Sequence, residues 1–297
     1  MSGRSRAVRI LRFLWILLAV GFVVHFCATR WATVLQLQRS LTAGQLAGCL
    51  LLIVAGKLVY TDVVRRTLAM VGSTGGFGEA FYAYNVSQLG KYIPGSIWQF
   101  VGRYEIYRRY GVGPGQAFQI MVLENGLMLG TALLIGAGAV PALAILVTRA
   151  MAPQWLAVAG AAVLVGAVLS FLHGGLRARL LAIARTIGRH RALVAIIAGL
   201  FVAMWVLLGL STLVLFSGYA DIPAPFMIAL FAVSYVVGFA AIFAPAGIGV
   251  RDVVFTVGLT GMVDPQIALL LTIGHRLVYI LADVLCGATA WAVSRGR

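Results

Sequence analysis

Two segments of the chain combine a break in a helix with basic side chains. Residues 85–103 read NVSQLGKYIPGSIWQFVGR, and residues 244–252 read APAGIGVRD. In the first, Pro94 lacks a backbone donor and disfavours a helix in the residue before it, while Ser96 is a good cap for a new helix. Free N–H groups at a helix N-terminus attract anions, and Lys91 lies close by in the sequence. The first segment therefore predicts a site for an anionic headgroup.

The second segment is glycine-rich and ends on an arginine. Gly247 and Gly249 precede a helix that is expected to begin near Arg251. Such a turn presents backbone N–H groups that can hold phosphate, and an arginine adds a two-pronged donor. Asp252 in the first turn suits the helix dipole, so a capping role alone would explain it. Broken segments at corresponding places in two halves of a chain are typical of transporter binding sites.

These two segments supply the candidate binding residues. The residues predicted to bind substrate are Lys91, Ser96, Trp98, Gln99, Arg103, Gly247, Gly249 and Arg251. Lys91, Arg103 and Arg251 would hold a lipid phosphate, and Trp98 would pack against the lipid. The alternative for the first segment is an amphipathic hairpin at the cytoplasmic interface, with Lys91 reaching out to water.

Ionisable side chains within apolar runs form a second group of candidates. Glu124 and Asn125 lie in one run, and His275, Arg276 and Asp283 lie in the last. A charge in the hydrocarbon centre costs at least about 2.5–3.5 kcal/mol, so such residues pair with each other or face a cavity. Glu124 with Arg276 is the predicted pair, either as a structural ion pair that locks two helices or as a gate or proton relay. The predicted coupling or gating residues are Glu124, Asn125, Asp252 and Arg276.

The composition places these residues in a membrane protein. Of 297 residues, 62% are hydrophobic and only 10% are charged, whereas a soluble domain is about 25% charged. The formal net charge of +15 is explained by basic residues in cytoplasmic loops, so no nucleic-acid partner is predicted. Lys57, near the end of an apolar run, is expected to snorkel towards the cytoplasm.

The apolar runs define the elements that must position the candidates. They cover residues 10–28, 45–60, 117–147, 155–172, 193–216, 226–243 and 266–293, and each is read as a helix that crosses the membrane. With the N-terminus in the cytoplasm, fifteen arginines fall inside and three fall outside. This asymmetry requires residues 77–101 to enter and leave on the same side.

The predicted fold is therefore an all-α polytopic membrane protein. It has about seven or eight transmembrane helices and two re-entrant helical hairpins, in one domain over residues 1–297, and two pseudo-symmetric halves would account for the paired segments. Simple counting of spans puts the last arginines outside, although their charge favours the cytoplasm.

The sequence offers no catalytic motif. Neither a nucleotide-binding loop, a zinc-protease motif nor a nucleophile elbow is present, and the three cysteines and four histidines form no ligand spacing. No metal, no cofactor and no enzymatic activity are predicted.

The motifs SQLGKYIPGSIWQFVGR and PAGIGVRD resemble the signatures of a flippase-like family. That family includes the transmembrane region of lysylphosphatidylglycerol synthases, the multiple peptide resistance factor, and its single-domain relatives. Pro245, Gly247, Gly249, Val250 and Arg251 match the second signature, and an aspartate stands at 252 where relatives commonly have glutamate.

The resemblance implies a lipid translocase in the cytoplasmic (inner) membrane of a prokaryote. It would bind the anionic headgroup of a phospholipid or polyprenyl-phosphate lipid and move it across the membrane. The aminoacyl-transfer domain of the synthases is missing, so the chain is not expected to aminoacylate phosphatidylglycerol itself. Two alternatives stay open: a membrane-embedded transferase, and an accessory subunit for partner enzymes of lipid or cell-envelope glycan synthesis. A homo-oligomer is also compatible with the sequence.

Overall fold

The computed structural model describes residues 41–73, 75–92, 98–139, 183–241 and 247–295. These residues are mainly helical, and no β-strand occurs among them. The helices are α1 (Ala43–Met70), α2 (Phe77–Gln88), α3 (Trp98–Arg109), α4 (Pro114–Gly136), α5 (Arg191–Phe216), α6 (Ala224–Ala240), α7 (Val250–Gly258) and α8 (Pro265–Arg295). Short 3₁₀ turns follow α2 at Leu89–Tyr92 and α4 at Ala137–Ala139.

Four of these helices, α1, α4, α5 and α8, are long and apolar enough to cross a membrane. The prediction of an all-α protein with several membrane-crossing helices is confirmed at this level. The apolar runs at 10–28 and 155–172 lie outside the described residues. The helix boundaries have local causes: Thr42 and Gln45 form a capping box at the start of α1, and Pro114 occupies the first turn of α4.

The core of the bundle is the antiparallel pair α1 and α5. Gly56 of α1 faces Leu208 of α5, and a Cβ added at Gly56 would lie 3.2 Å from the leucine side chain. Further along, Tyr60 meets Phe201 edge to face with ring centroids 5.3 Å apart. The C-terminal end of α1 and the N-terminal end of α5 therefore lie together.

That end of the bundle is rich in arginine, and we call it the basic end. It carries Arg65, Arg66, Arg108, Arg109, Arg185, Arg189 and Arg191. The start of α4 lies there too, because the Gln119 side chain donates to Thr186. At the other end, which we call the opposite end, Gln45 near the start of α1 donates to the Ser217 carbonyl at 2.7 Å.

Helices α2 and α3 form an antiparallel hairpin that starts and finishes at the basic end. The two arms approach closely at Gly90, where an added Cβ would lie 2.8 Å from the backbone nitrogen of Gln99, so only glycine fits there. Below the turn, Arg103 Nε donates to Ser87 Oγ at 3.3 Å. The predicted proline break at residues 93–97 lies outside the described residues. We call this element hairpin 1.

Helices α6 and α7 form a second antiparallel hairpin, hairpin 2, which starts and finishes at the opposite end. A Cβ at Gly238 would lie 2.8 Å from Arg251 Cβ, and Gly247, at a φ of 66°, lies against the Gly238 backbone. At the base of the hairpin, Phe255 of α7 packs against Phe216 at the end of α5.

The prediction that residues 226–243 cross the whole bundle was wrong. Helix α6 has 17 residues, or about 25 Å at roughly 1.5 Å per residue, and α7 then turns back. The glycines at 238 and 247 permit this reversal. Because hairpin 2 does not cross, α8 starts at the opposite end and finishes at the basic end with Arg295. Simple counting of spans had put the last arginines outside, away from most of the other arginines, and this part of the prediction is corrected.

Candidate functional site

Two lysines share one buried carboxylate at the tip of hairpin 1. Asp283 Oδ1 accepts from Lys57 Nζ at 2.6 Å, and its Oδ2 accepts from Lys91 Nζ at 2.7 Å and from the Tyr92 hydroxyl at 2.5 Å. Asp283 is completely buried, and Lys57 is 2% exposed. The expected snorkelling of Lys57 was therefore wrong, because a buried carboxylate satisfies its charge where it stands.

This ion cluster lies near the middle of two long helices. Lys57 is the fifteenth of 28 residues in α1, about 21 Å from its start at roughly 1.5 Å per residue. Asp283 is likewise central in α8, as the nineteenth of its 31 residues. Since Lys91 binds Asp283, the tip of hairpin 1 reaches about halfway along the bundle.

A second buried network fixes the other arm of hairpin 1. Glu124 of α4 accepts from Arg103 Nη1 at 2.8 Å, from Thr67 at 2.5 Å and from Tyr107 at 3.4 Å. The predicted pair between Glu124 and Arg276 was wrong. Arg103 is closer because hairpin 1 folds back between α1 and α4, a contact that spacing along the chain does not reveal. Arg103 is thus held by a carboxylate before any ligand arrives.

Arg276 has a different partner in hairpin 2. Its Nη1 donates to both oxygens of Asp252, at 2.8 and 2.7 Å. Asp252 Oδ2 also accepts from the Gly249 backbone at 3.0 Å, which confirms its capping role. The N–H of the N-cap residue Gly249 is therefore taken up by a carboxylate of its own helix. Gly249 itself has a φ of 84°, a conformation that favours glycine.

Arg251 is surrounded by aromatic rings instead of acids. Its guanidinium carbon lies 4.3 Å from the ring centroid of Phe231, 5.5 Å from Tyr235 and 5.9 Å from Tyr279. No ion pair joins Arg251 to any carboxylate within the described residues. Cation–π contacts of this kind hold a guanidinium in place without neutralising it.

All these groups surround one cavity of about 350 Å³. Its polar lining includes Lys91, Gln99, Arg103, Asn125, Gly247, Arg251, Asp252 and Arg276, all of them predicted site residues. Aromatic and aliphatic side chains complete the wall, among them Tyr60, Trp205 and Phe239.

Three predicted binding residues are not part of this lining. Trp98 is 46% exposed and does not line the cavity, so its packing against the lipid stays a prediction. Gly249 lies outside the lining and serves the cap of α7. Ser96 lies outside the described residues.

The cavity and the carboxylates bound to its cations carry a net positive charge. Four cations line the cavity, namely Lys91, Arg103, Arg251 and Arg276, and Lys57 lies behind them, bound to the same Asp283 as Lys91. These five cations and the three carboxylates Glu124, Asp252 and Asp283 sum to a net charge of +2. No cluster of metal-binding side chains occurs in the same part of the chain. A ligand with an anionic group and an apolar body fits a cavity that combines this positive charge with an aromatic and aliphatic lining.

The sequence matches no known family model and no curated protein. No activity can therefore be carried over from a relative, and the resemblance to the flippase-like family stays a prediction. The cavity and the two hairpins that line it are the features of this protein from which a function can be inferred.

Tyr279 is the residue that sequence reasoning missed. Its ring centroid lies 5.0 Å from Lys91 Nζ and 5.9 Å from the Arg251 guanidinium carbon, so it contacts both hairpins. The signal was present in α8, where His275, Tyr279 and Asp283 recur at every fourth residue and so lie on one helical face. His275 on that face binds Ser211 of α5 at 2.8 Å.

Proposed function

We propose that the protein is a flippase-like lipid translocase that binds an anionic headgroup in this cavity and moves it across the membrane. The observation that carries the proposal is the meeting of the two hairpin tips halfway along the long helices, at a positively charged cavity with an aromatic wall. Broken helices whose ends meet near the bilayer midplane are a recurrent way to build a transport site.

In this proposal α1, α4, α5 and α8 span the membrane, and both hairpins are re-entrant. Hairpin 1 enters from the basic end and hairpin 2 from the opposite end. The basic end faces the cytoplasm, since arginine and lysine concentrate on that side of membrane proteins. With the apolar runs at 10–28 and 155–172 as two further spans, this arrangement has six spans, fewer than the seven or eight expected from the sequence. A cytoplasmic N-terminus, a cytoplasmic end of α8 and residence in the inner membrane of a prokaryote complete it.

The chemistry of the cavity supports a lipid rather than a small solute. Lys91 and Arg251 supply positive charge to an anionic headgroup, and non-helical backbone is tolerated at this depth where it lines a wet cavity. The aromatic and aliphatic wall suits the first carbons of the lipid chains. Glu124 and Asp252 hold Arg103 and Arg276, so these two arginines anchor the hairpins while Lys91 and Arg251 receive the ligand.

Transport would require the two hairpins to open in turn. Hairpin 1 closes the site towards the basic end, and hairpin 2 closes it towards the opposite end. Movement of either arm would expose the headgroup to one side, as in alternating access around a fixed central site.

Reconstitution of the purified protein into liposomes tests the proposal. Phospholipids with a fluorescent acyl chain are placed in both leaflets, and a membrane-impermeant reductant bleaches those in the outer leaflet. A translocase brings inner-leaflet lipid to the reductant, so fluorescence falls below the plateau of protein-free vesicles. If the plateau is unchanged for phosphatidylglycerol, phosphatidic acid and phosphatidylethanolamine alike, the proposal fails for these lipids. The same assay is then run with labelled polyprenyl phosphate, and an unchanged plateau there would overturn the proposal as a whole.

Variants assign the activity to the cavity. Lys91→Gln and Arg251→Gln should each slow bleaching of the inner-leaflet lipid. Arg108→Gln is the matched control, because it removes the same charge from an exposed side chain at the basic end. Equal slowing by Arg108→Gln would show that the effect comes from surface charge and not from the cavity.

A further inference from the structure

The charges around the cavity are matched unequally. Arg103 and Arg276 each have a carboxylate of their own, whereas Lys57 and Lys91 share Asp283, and Arg251 has no carboxylate partner among the described residues. One positive charge is therefore left over on the lysine pair of α1 and hairpin 1, and a second is left over on hairpin 2. Lys91 and Arg251 line the same cavity, and their charged groups lie 5.0 and 5.9 Å from the ring centroid of Tyr279, so a ligand in this cavity has both cations beside it.

We infer that the ligand presents a phosphate monoester to Lys91 and Arg251, rather than the phosphodiester of most membrane lipids. This inference rests on the proposed function and names the headgroup class. A monoester has three terminal oxygens and carries about −1.5 to −2 charges at pH 7. Two oxygens match the fork of the Arg251 guanidinium, and the third is available to the Lys91 ammonium.

A phosphodiester fits the same site less well. It has only two terminal oxygens and one negative charge, so a bidentate contact with Arg251 leaves Lys91 to share an oxygen that is already bound, and the single charge neutralises only one of the two cations. One of the two surplus charges would then stay unmatched at a depth where unpaired charge is costly. Lipids of the required kind include phosphatidic acid and polyprenyl monophosphates, which share the headgroup and differ in the chain.

A pair of lipids with identical acyl chains isolates the headgroup. Dioleoyl phosphatidic acid and dioleoyl phosphatidylglycerol are titrated into the purified full-length protein in detergent micelles, and the dissociation constants are measured by calorimetry. We expect phosphatidic acid to bind at least about tenfold more tightly, which corresponds to one additional charged hydrogen bond. Equal affinities, or tighter binding of phosphatidylglycerol, would overturn the inference while leaving a headgroup site in place.

Two substitutions of one residue show where the preference arises. Arg251→Gln should bring the ratio of the two dissociation constants close to one, and Arg251→Lys should do so in part, because lysine keeps the charge but loses the fork. Lys91→Gln provides a second, independent removal of charge at the same site. Arg108→Gln should leave the ratio unchanged. A ratio that survives both Arg251→Gln and Lys91→Gln would assign the preference to another surface and overturn the inference.

Two further titrations separate the failure of the inference from that of the proposed function. Polyprenyl phosphate and inorganic phosphate are tested beside the two phospholipids. Tight binding of polyprenyl phosphate supports monoester recognition with an isoprenoid chain. Inorganic phosphate that binds as tightly as the lipids would contradict a lipid ligand. If no lipid binds at all, the proposed function fails along with the inference.

Discussion

Lys91 and Arg251 reach the bundle from opposite ends, yet both lie against the ring of Tyr279, at 5.0 and 5.9 Å from its centroid. Lys91 belongs to the turn of hairpin 1, and Arg251 to the first turn of α7 in hairpin 2. Tyr279 lies in the continuous helix α8, one turn before Asp283, which binds Lys91. A residue on a continuous helix thus contacts cations on two separate hairpins.

Tyr279 should therefore matter for its ring and not for its hydroxyl. We expect Tyr279→Phe to bind phosphatidic acid as the native protein does. Tyr279→Leu, which keeps apolar bulk, should weaken binding by several-fold, because a cation–π contact in a desolvated site contributes about 0.5–2 kcal/mol. Calorimetric titration of both variants checks this. Equal losses for the two variants would point to a hydrogen bond of the hydroxyl instead.

Replacing the shared carboxylate of Asp283 should destabilise the protein more than replacing one of the two lysines that bind it. Asp283→Asn leaves two buried ammonium groups facing each other, whereas Lys57→Met leaves Lys91 and Asp283 paired. Removing one partner of a buried ion pair costs about 3–5 kcal/mol when the remaining charge has no other partner. In detergent, the midpoint temperature of thermal unfolding should therefore be well below that of Lys57→Met for the Asp283→Asn variant. The reverse order would mean that Lys91 is not ionised in the folded protein.

The turn of hairpin 1 should tolerate no side chain at Gly90. Gly90→Ala would place Cβ 2.8 Å from the Gln99 nitrogen and 2.9 Å from the Trp98 carbonyl carbon, both of which are backbone atoms that cannot rotate away. We expect the free energy of unfolding to fall by roughly 1–3 kcal/mol, as for other overpacked sites. Gly126→Ala is the matched control, since a Cβ there meets nothing within 4 Å. A similar change for both variants would contradict the close approach.

The sequence was sufficient to predict the charged residues that line the cavity, but not how they pair. Proline, glycine and arginine spacing identified both hairpins, because backbone breaks have local causes. The partners of Glu124 and Arg276 depend on how hairpin 1 folds between α1 and α4, and on the direction from which hairpin 2 enters. Hydropathy could not give that direction, since α6 is as apolar as a helix that crosses the whole bundle and differs from one only in length.

Cysteine labelling tests the arrangement that the reversal of hairpin 2 imposes on the chain ends. Arg295 closes α8 at the basic end, while Met262, 46% exposed, follows α7 at the opposite end. In a background with Cys27, Cys49 and Cys286 replaced by alanine, Arg108→Cys and Arg295→Cys should both resist an impermeant maleimide added to intact cells and react after permeabilisation. Met262→Cys should react from outside without permeabilisation. Labelling of Arg295→Cys from outside would mean that α8 runs in the other direction, and the site between the two hairpins would then have to be rebuilt.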